Sequence, residues 1–240
     1  MEATIAVPRT QPAPEQPVGP WWQTATIVAI FLSLAAAGAL FQRHASQAGA
    51  APAPRSPMTL YLSVMAAEWA LVYWIWKASV RHTGTALREL IGGRWTGWRD
   101  VARDAVLALA LWLVWMLVLA LWSRVLGEGK AASINAMLPR APVEVILWLA
   151  LSITAGICEE TIFRGYLQRQ FAALTHSVWL GLVLQAALFG VGHGYQGLGA
   201  TLRIAVFGVL YGLMALQRRS LRPGILAHAW SDVASGIFRI

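Results

Sequence analysis

The sequence predicts an all-α fold, a polytopic bundle of membrane-spanning helices, and three observations carry that expectation. Apolar residues make up 58% of the 240-residue chain and charged residues only 12%. A soluble domain, with about a quarter of its residues charged, covers its surface with far more water-compatible groups. Apolar runs recur at close to the length of about 20 residues that crosses a bilayer. The chain also carries 13 Trp and a net charge of +8, the aromatic and basic residues that gather where membrane meets water. Mean hydropathy, +0.56, agrees. The positive charge is scattered between apolar runs and forms no dense stripe, which argues against a nucleic-acid partner. Cys158 is the single cysteine, so neither an intramolecular disulfide nor a thiolate metal cluster can form.

The elements follow in order. Residues 1–20 hold Pro8, Pro12, Pro14, Pro17 and Pro20 and little apolar content, as a disordered extramembrane tail does. They lack the basic start, apolar core and small-residue cleavage site of a signal peptide. Residues 21–142 hold the N-terminal spans. Trp21 to Phe41 carries no charge and opens on a Trp pair; a short Ala/Pro-rich loop leads to Thr59 to Ala78, which has Glu68 near its middle. Segment 80–104 interleaves Arg81, Arg88, Arg94, Arg99 and Arg103 with Leu87, Leu90, Ile91, Trp95 and Trp98, a pattern that lies in the interface and anchors to anionic lipid. Ala105 to Val125 is the third span. In residues 143–240, spans are expected at Val143 to Phe163, Val178 to Val191, Leu202 to Leu216 and Pro223 to Phe238, about seven in all. With the N-terminus in the cytoplasm, twelve of the 19 basic residues fall inside, which favours that orientation.

Ionisable side chains inside a membrane are costly and mark function, and here they gather in the last four spans. Cys158 to Gly165 reads Cys-Glu-Glu-Thr-Ile-Phe-Arg-Gly at the end of an apolar run. Glu160 and Arg164 are four apart and share a helical face, so they can pair; Glu159 is turned about 100° away and stays available for proton chemistry. A helix-terminal salt bridge without catalytic role fits the same segment. Phe189 to His193 ends another apolar run in a Gly-rich stretch, and such a His, taken alone, is more often structural than catalytic. His228 and Asp232 are again four apart and face the same way; they can orient an imidazole, bond a substrate carbonyl, or supply two metal ligands. Short loops join these segments, so their polar faces can converge in one cavity. Glu68 belongs to none of these motifs; it reads as a satisfied buried carboxylate or one reaching the interface, with pairing to a buried Arg or His or a place at the substrate entrance as the alternatives.

The pattern Glu-Glu-x-x-x-Arg, Phe-x-x-x-His and His-x-x-x-Asp/Asn resembles the CAAX-processing and bacteriocin-processing (CPBP, or Abi) intramembrane endopeptidase family. It is carried here by Glu159, Glu160, Arg164, Phe189, His193, His228 and Asp232. The resemblance spans Ala150 to Ile240 and makes 143–240 the catalytic core; the first 140 residues add nothing to it. It implies hydrolysis of a peptide bond in a membrane protein or lipidated peptide, at the bilayer of a bacterial cell (inner) membrane. Glu159 would activate water together with His193. His228 and Asp232 would polarise the carbonyl and stabilise the oxyanion, and Glu160 with Arg164 would hold the helix end in shape. No cofactor is required on this reading. Relatives often have Asn at the position of Asp232, and an Asp keeps zinc open, with Glu159, His193, His228 and Asp232 as its ligands. No His-Glu-x-x-His, Gly-x-Ser-Gly or Gly-x-Gly-Asp occurs, which disfavours the zinc site-2, rhomboid and presenilin types. A non-catalytic membrane immunity or maturation factor is the alternative. A small transporter ranks last, because no inverted repeat is visible.

Overall fold

The computed structural model describes residues 16–47, 56–126, 135 and 137–238, with the side chains of 41–47 left aside. Among the described residues the chain is helical, without strands. Helix α1 is Trp21–Gln47, α2 is Met58–Thr83, α3 is the short Leu87–Ile91, and α4 is Trp98–Leu126. Helix α5, Pro142–Glu160, runs directly into a π-helical segment, Thr161–Leu167, and then into α6, Gln168–Thr175. Helix α7 is Val178–Gly192, a short turn occupies Gly194–Gln196, α8 is Leu198–Arg218, and α9 is Arg222–Ile237.

Five helical stretches are long and apolar enough to cross a membrane: Trp21–Leu40, Met58–Thr83, Trp98–Val125, Pro142–Thr175 and Leu198–Arg218. Helix α7 is apolar but shorter, and α9 has 16 residues. The burial pattern is that of a bundle solvated by lipid. On α4, Leu109, Leu113, Leu117 and Leu121 are each more than half exposed while Ala108, Leu111 and Trp115 are buried, so one apolar stripe faces out and another faces in. In water the outer stripe would be a liability. The interior instead holds polar groups, among them Asp104, Glu160, Arg164, Gln168, Gln170 and Gln185. In hydrocarbon they must find partners with one another.

Small residues let the C-terminal helices approach closely. A Cβ added to Gly190 of α7 would stand 2.5 Å from the Thr201 carbonyl oxygen of α8. One added to Gly156 of α5 would stand 2.9 Å from the Ile225 carbonyl oxygen of α9.

Two boundaries differ from expectation. Residues 1–15 of the expected tail lie outside the described residues, as do 48–55 of the first loop. Val18 and Gly19, however, are held by Gln170: its Oε1 accepts from both backbone N–H groups, at 2.8 and 3.1 Å. A buried amide side chain needs such partners, and α6 finds them in the chain before α1. Helix α4 begins at Trp98 rather than near Ala105, because Asp100 in its first turn accepts from the Thr96 backbone N–H at 3.1 Å. Part of the expected interfacial segment is therefore the first two turns of a spanning helix. Asp104, fully buried there, accepts from Trp95 Nε1 at 2.7 Å and Arg218 Nε at 2.8 Å and pairs with the Arg222 guanidinium, whose Nε lies 3.1 Å away. It ties the start of α4 to the α8–α9 junction.

Candidate active site

Four elements supply the cluster. The C-terminal end of α5 presents Glu159 and Glu160, the π-helical segment presents Arg164, the end of α7 presents His193, and α9 presents His228 and Asp232. Glu160 is 1% exposed. Its Oε1 pairs with Arg164 Nη1 at 3.0 Å and with His228 Nδ1 at 3.0 Å. The first contact is the spacing-four pair read from the sequence; the second crosses 68 residues. π-Helical turns recur at functional sites, and this one carries the guanidinium that occupies Glu160.

The Arg164 side chain is fully enclosed. Its guanidinium carbon lies 4.4 Å from the Phe189 ring centroid and 5.8 Å from those of Phe207 and Tyr211. Its Nε and Nη2 have no hydrogen-bond partner, so aromatic faces do part of what water would do for the cation. Phe189 is the hub of the site: its ring also meets His193 at 4.9 Å and His228 at 6.2 Å. That contact set accounts for the Phe in the Phe-x-x-x-His motif.

His228 Nε2 points the other way from Glu160, lying 3.7 Å from Glu159 Oε2 and 3.8 Å from Asp232 Oδ2. Glu159 Oε2 is buried and has no hydrogen-bond partner. Of two neighbouring carboxylates, one has its Oε1 held by both an arginine and a histidine, while the other keeps Oε2 free of hydrogen bonds. Asp232 is held at its backbone, where its carbonyl accepts from Trp148 Nε1 at 2.8 Å. Its side chain, 36% exposed, opens to the outside of the cluster. His193 is half-buried at the end of α7, and its Nδ1 donates to the Phe189 carbonyl at 2.9 Å. A carbonyl only accepts, so the proton sits on Nδ1 and Nε2 is the free nitrogen. The structure thus gathers Glu159, Glu160, Arg164, His228 and Asp232 in direct contact, and joins His193 to them through Phe189.

One residue of the cluster carried no motif. Glu68 of α2 faces Glu159 and, beyond it, Asp232, and its Oε2 is buried without a hydrogen-bond partner. Its carboxyl shares a hydrogen bond with that of Glu159. The signal was its charge in the middle of an apolar span. What was missing was the rotation of α2 toward α5. Among the described residues no group of three or more His, Cys, Asp or Glu that could hold a metal ion occurs.

Residues 141–234 match the family model of type II CAAX prenyl endopeptidase, Rce1-like. That stretch is an Rce1-like domain. The match begins at the residue that caps α5, ends two residues beyond Asp232, and contains Glu159, Glu160, Arg164, His193, His228 and Asp232. At the level of the family, the Rce1-like domain is that of a CAAX-type membrane endopeptidase set in a multi-pass helical bundle. Glu68 and helices α1 to α4 lie outside it. No curated protein and no solved structure matches the chain.

Proposed function

We propose that the protein is a glutamate-dependent intramembrane endopeptidase that cleaves a membrane-anchored protein or lipidated peptide. The observation that carries this reading is the unequal treatment of the two neighbouring carboxylates. Glu160 Oε1 is held by Arg164 and His228, each at 3.0 Å, whereas Glu159 Oε2 has no hydrogen bond. A carboxylate with an open oxygen in a water-poor site is a competent general base.

In this mechanism a water lies between Glu159 and the free Nε2 of His193. Glu159 takes its proton as the water oxygen adds to the scissile carbonyl. His228, in its imidazolium form, donates from Nδ1 to Glu160 and from Nε2 into the site, where charge develops on the carbonyl oxygen. Glu159 then returns the proton to the leaving amine. Glu160 and Arg164 hold the end of α5 and aim His228. The basic-residue bias supports a cytoplasmic N-terminus and a cytoplasmic α5–α6 end of the bundle; on this reading the scissile bond is near that face of the membrane.

The test compares the chain termini of the host membrane proteome between wild type and Glu159→Ala at equal expression. Termini that arise only with wild type are the expected result, and they identify the substrate. Identical termini, with the Glu159→Ala protein still rescuing a deletion phenotype, would favour a non-catalytic immunity or maturation factor.

A further inference from the structure

An oxyanion needs hydrogen-bond donors, and the residues assigned so far supply few. Asp232 as a carboxylate accepts and does not donate. The Nε2 of His228 is drawn toward Glu159 and Asp232, at 3.7 and 3.8 Å. A second donor is therefore wanted on the open side of Glu159, toward His193.

Tyr195 stands there. It lies in the turn Gly194–Gln196 that follows His193, and its ring is half-stacked on the His193 ring, with centroids 6.2 Å apart and planes at 29°. Glu159 and Asp232 are near enough for their charges to act on its phenol. Its oxygen accepts a hydrogen bond from Gln196 Nε2 at 3.1 Å. With the oxygen so engaged, the phenol proton remains to be given to a further acceptor. Burial pushes the phenol up from its ordinary value, so it stays a neutral donor wherever the carboxylates are ionised. The residue is also braced. A Cβ added to Gly38 of α1 would stand 2.9 Å from the Tyr195 Cβ, so α1 presses on this turn and fixes the direction of the ring. Donors fixed before the reaction are the ones that stabilise developing charge.

We propose that Tyr195 is a catalytic residue of this site, whose phenol O–H donates to the oxyanion formed on the scissile carbonyl. The proposal rests on the protease reading. In the step it serves, the water oxygen bonds to the carbonyl carbon and the carbonyl π pair moves onto oxygen. The water proton passes to Glu159 and then to the departing amine. The Tyr195 proton stays on the phenol throughout.

The test uses the full chain in lipid nanodiscs and a synthetic peptide spanning the cleavage site found by the terminus comparison. Wild type, Tyr195→Phe and Glu159→Gln are assayed side by side. Phenylalanine keeps the ring against His193 and removes only the donor. The expected result is a fall in kcat of about 10²-fold or more in Tyr195→Phe, with KM within about twofold and unchanged thermal unfolding. A fall in kcat of less than about threefold, or a loss confined to KM or to stability, would overturn the role of Tyr195. If Glu159→Gln is inactive in that case, the protease reading stands without it. If Glu159→Gln cleaves at the wild-type rate, both fall together.

Discussion

Adjacent carboxylates on one helix end need different surroundings if one is to move protons and the other to hold shape. Glu160 has Arg164 and His228, each at 3.0 Å, and is 1% exposed. Removing one member of such a buried pair strands the other. Arg164→Met is therefore expected to destabilise the protein by about 3–5 kcal/mol. The double variant Glu160→Gln/Arg164→Met should cost less than the single one, and thermal unfolding in detergent measures both. Glu68 poses the opposite case: it faces Glu159 and Asp232, and its Oε2 has no hydrogen-bond partner. Glu68 shares a hydrogen bond with Glu159, and an amide can still donate to that carboxylate, so Glu68→Gln should leave the unfolding temperature unchanged while Glu68→Ala should lower it. Spacing within a helix made Glu160–Arg164 and His228–Asp232 legible in the sequence, because residues four apart share a face. The contact of His228 Nδ1 with Glu160, the approach of Glu68 and the position of Tyr195 were not legible. Each depends on how one helix is rotated against another, and spacing along a single helix carries no record of that.

Between helices, two devices place the site. Asp104 gathers Trp95, Arg218 and Arg222, and beside it the Leu221 N–H donates to the Ile91 carbonyl at 2.9 Å. Helix α3 and the α8–α9 junction are thus locked to the start of α4. Asp104→Ala leaves two largely buried guanidinium groups without their carboxylate. Faster amide hydrogen exchange is expected in α3 and around Ser220 to Gly224; unchanged exchange there would mean that the network is not holding the junction. The second device is the close approach of α7 and α8 at Gly190, where a Cβ would meet the Thr201 oxygen at 2.5 Å. Gly190→Val must push the end of α7 outward and move His193 with it, so it should lower kcat while the protein stays helical by circular dichroism. The positions of the spans were readable from apolar run length. The start of α4 at Trp98 and the docking of Val18 and Gly19 on Gln170 were not, because buried polar partners decide them rather than the hydrophobic pattern.

As a whole, the molecule is apolar outside and polar within, the arrangement a bilayer requires of a bundle that carries an ionised site. The Rce1-like domain, 141–234, contains the matched motif residues, while α1 and α2 contribute Gly38 against Tyr195 and Glu68 against Glu159 from outside it. Truncation to the matched domain alone should therefore abolish cleavage, even if the remaining helices insert. The central claim is that Glu159 activates the hydrolytic water. The most direct measurement is the cleavage rate of the peptide spanning the native site by purified, lipid-reconstituted wild type and Glu159→Gln. Glutamine keeps the size and one acceptor oxygen of the side chain but cannot take up the proton. A general base contributes about 10²–10⁴-fold, so the account predicts a loss in that range or beyond with thermal unfolding unchanged. A Glu159→Gln protein that cleaves within about tenfold of wild type would contradict it.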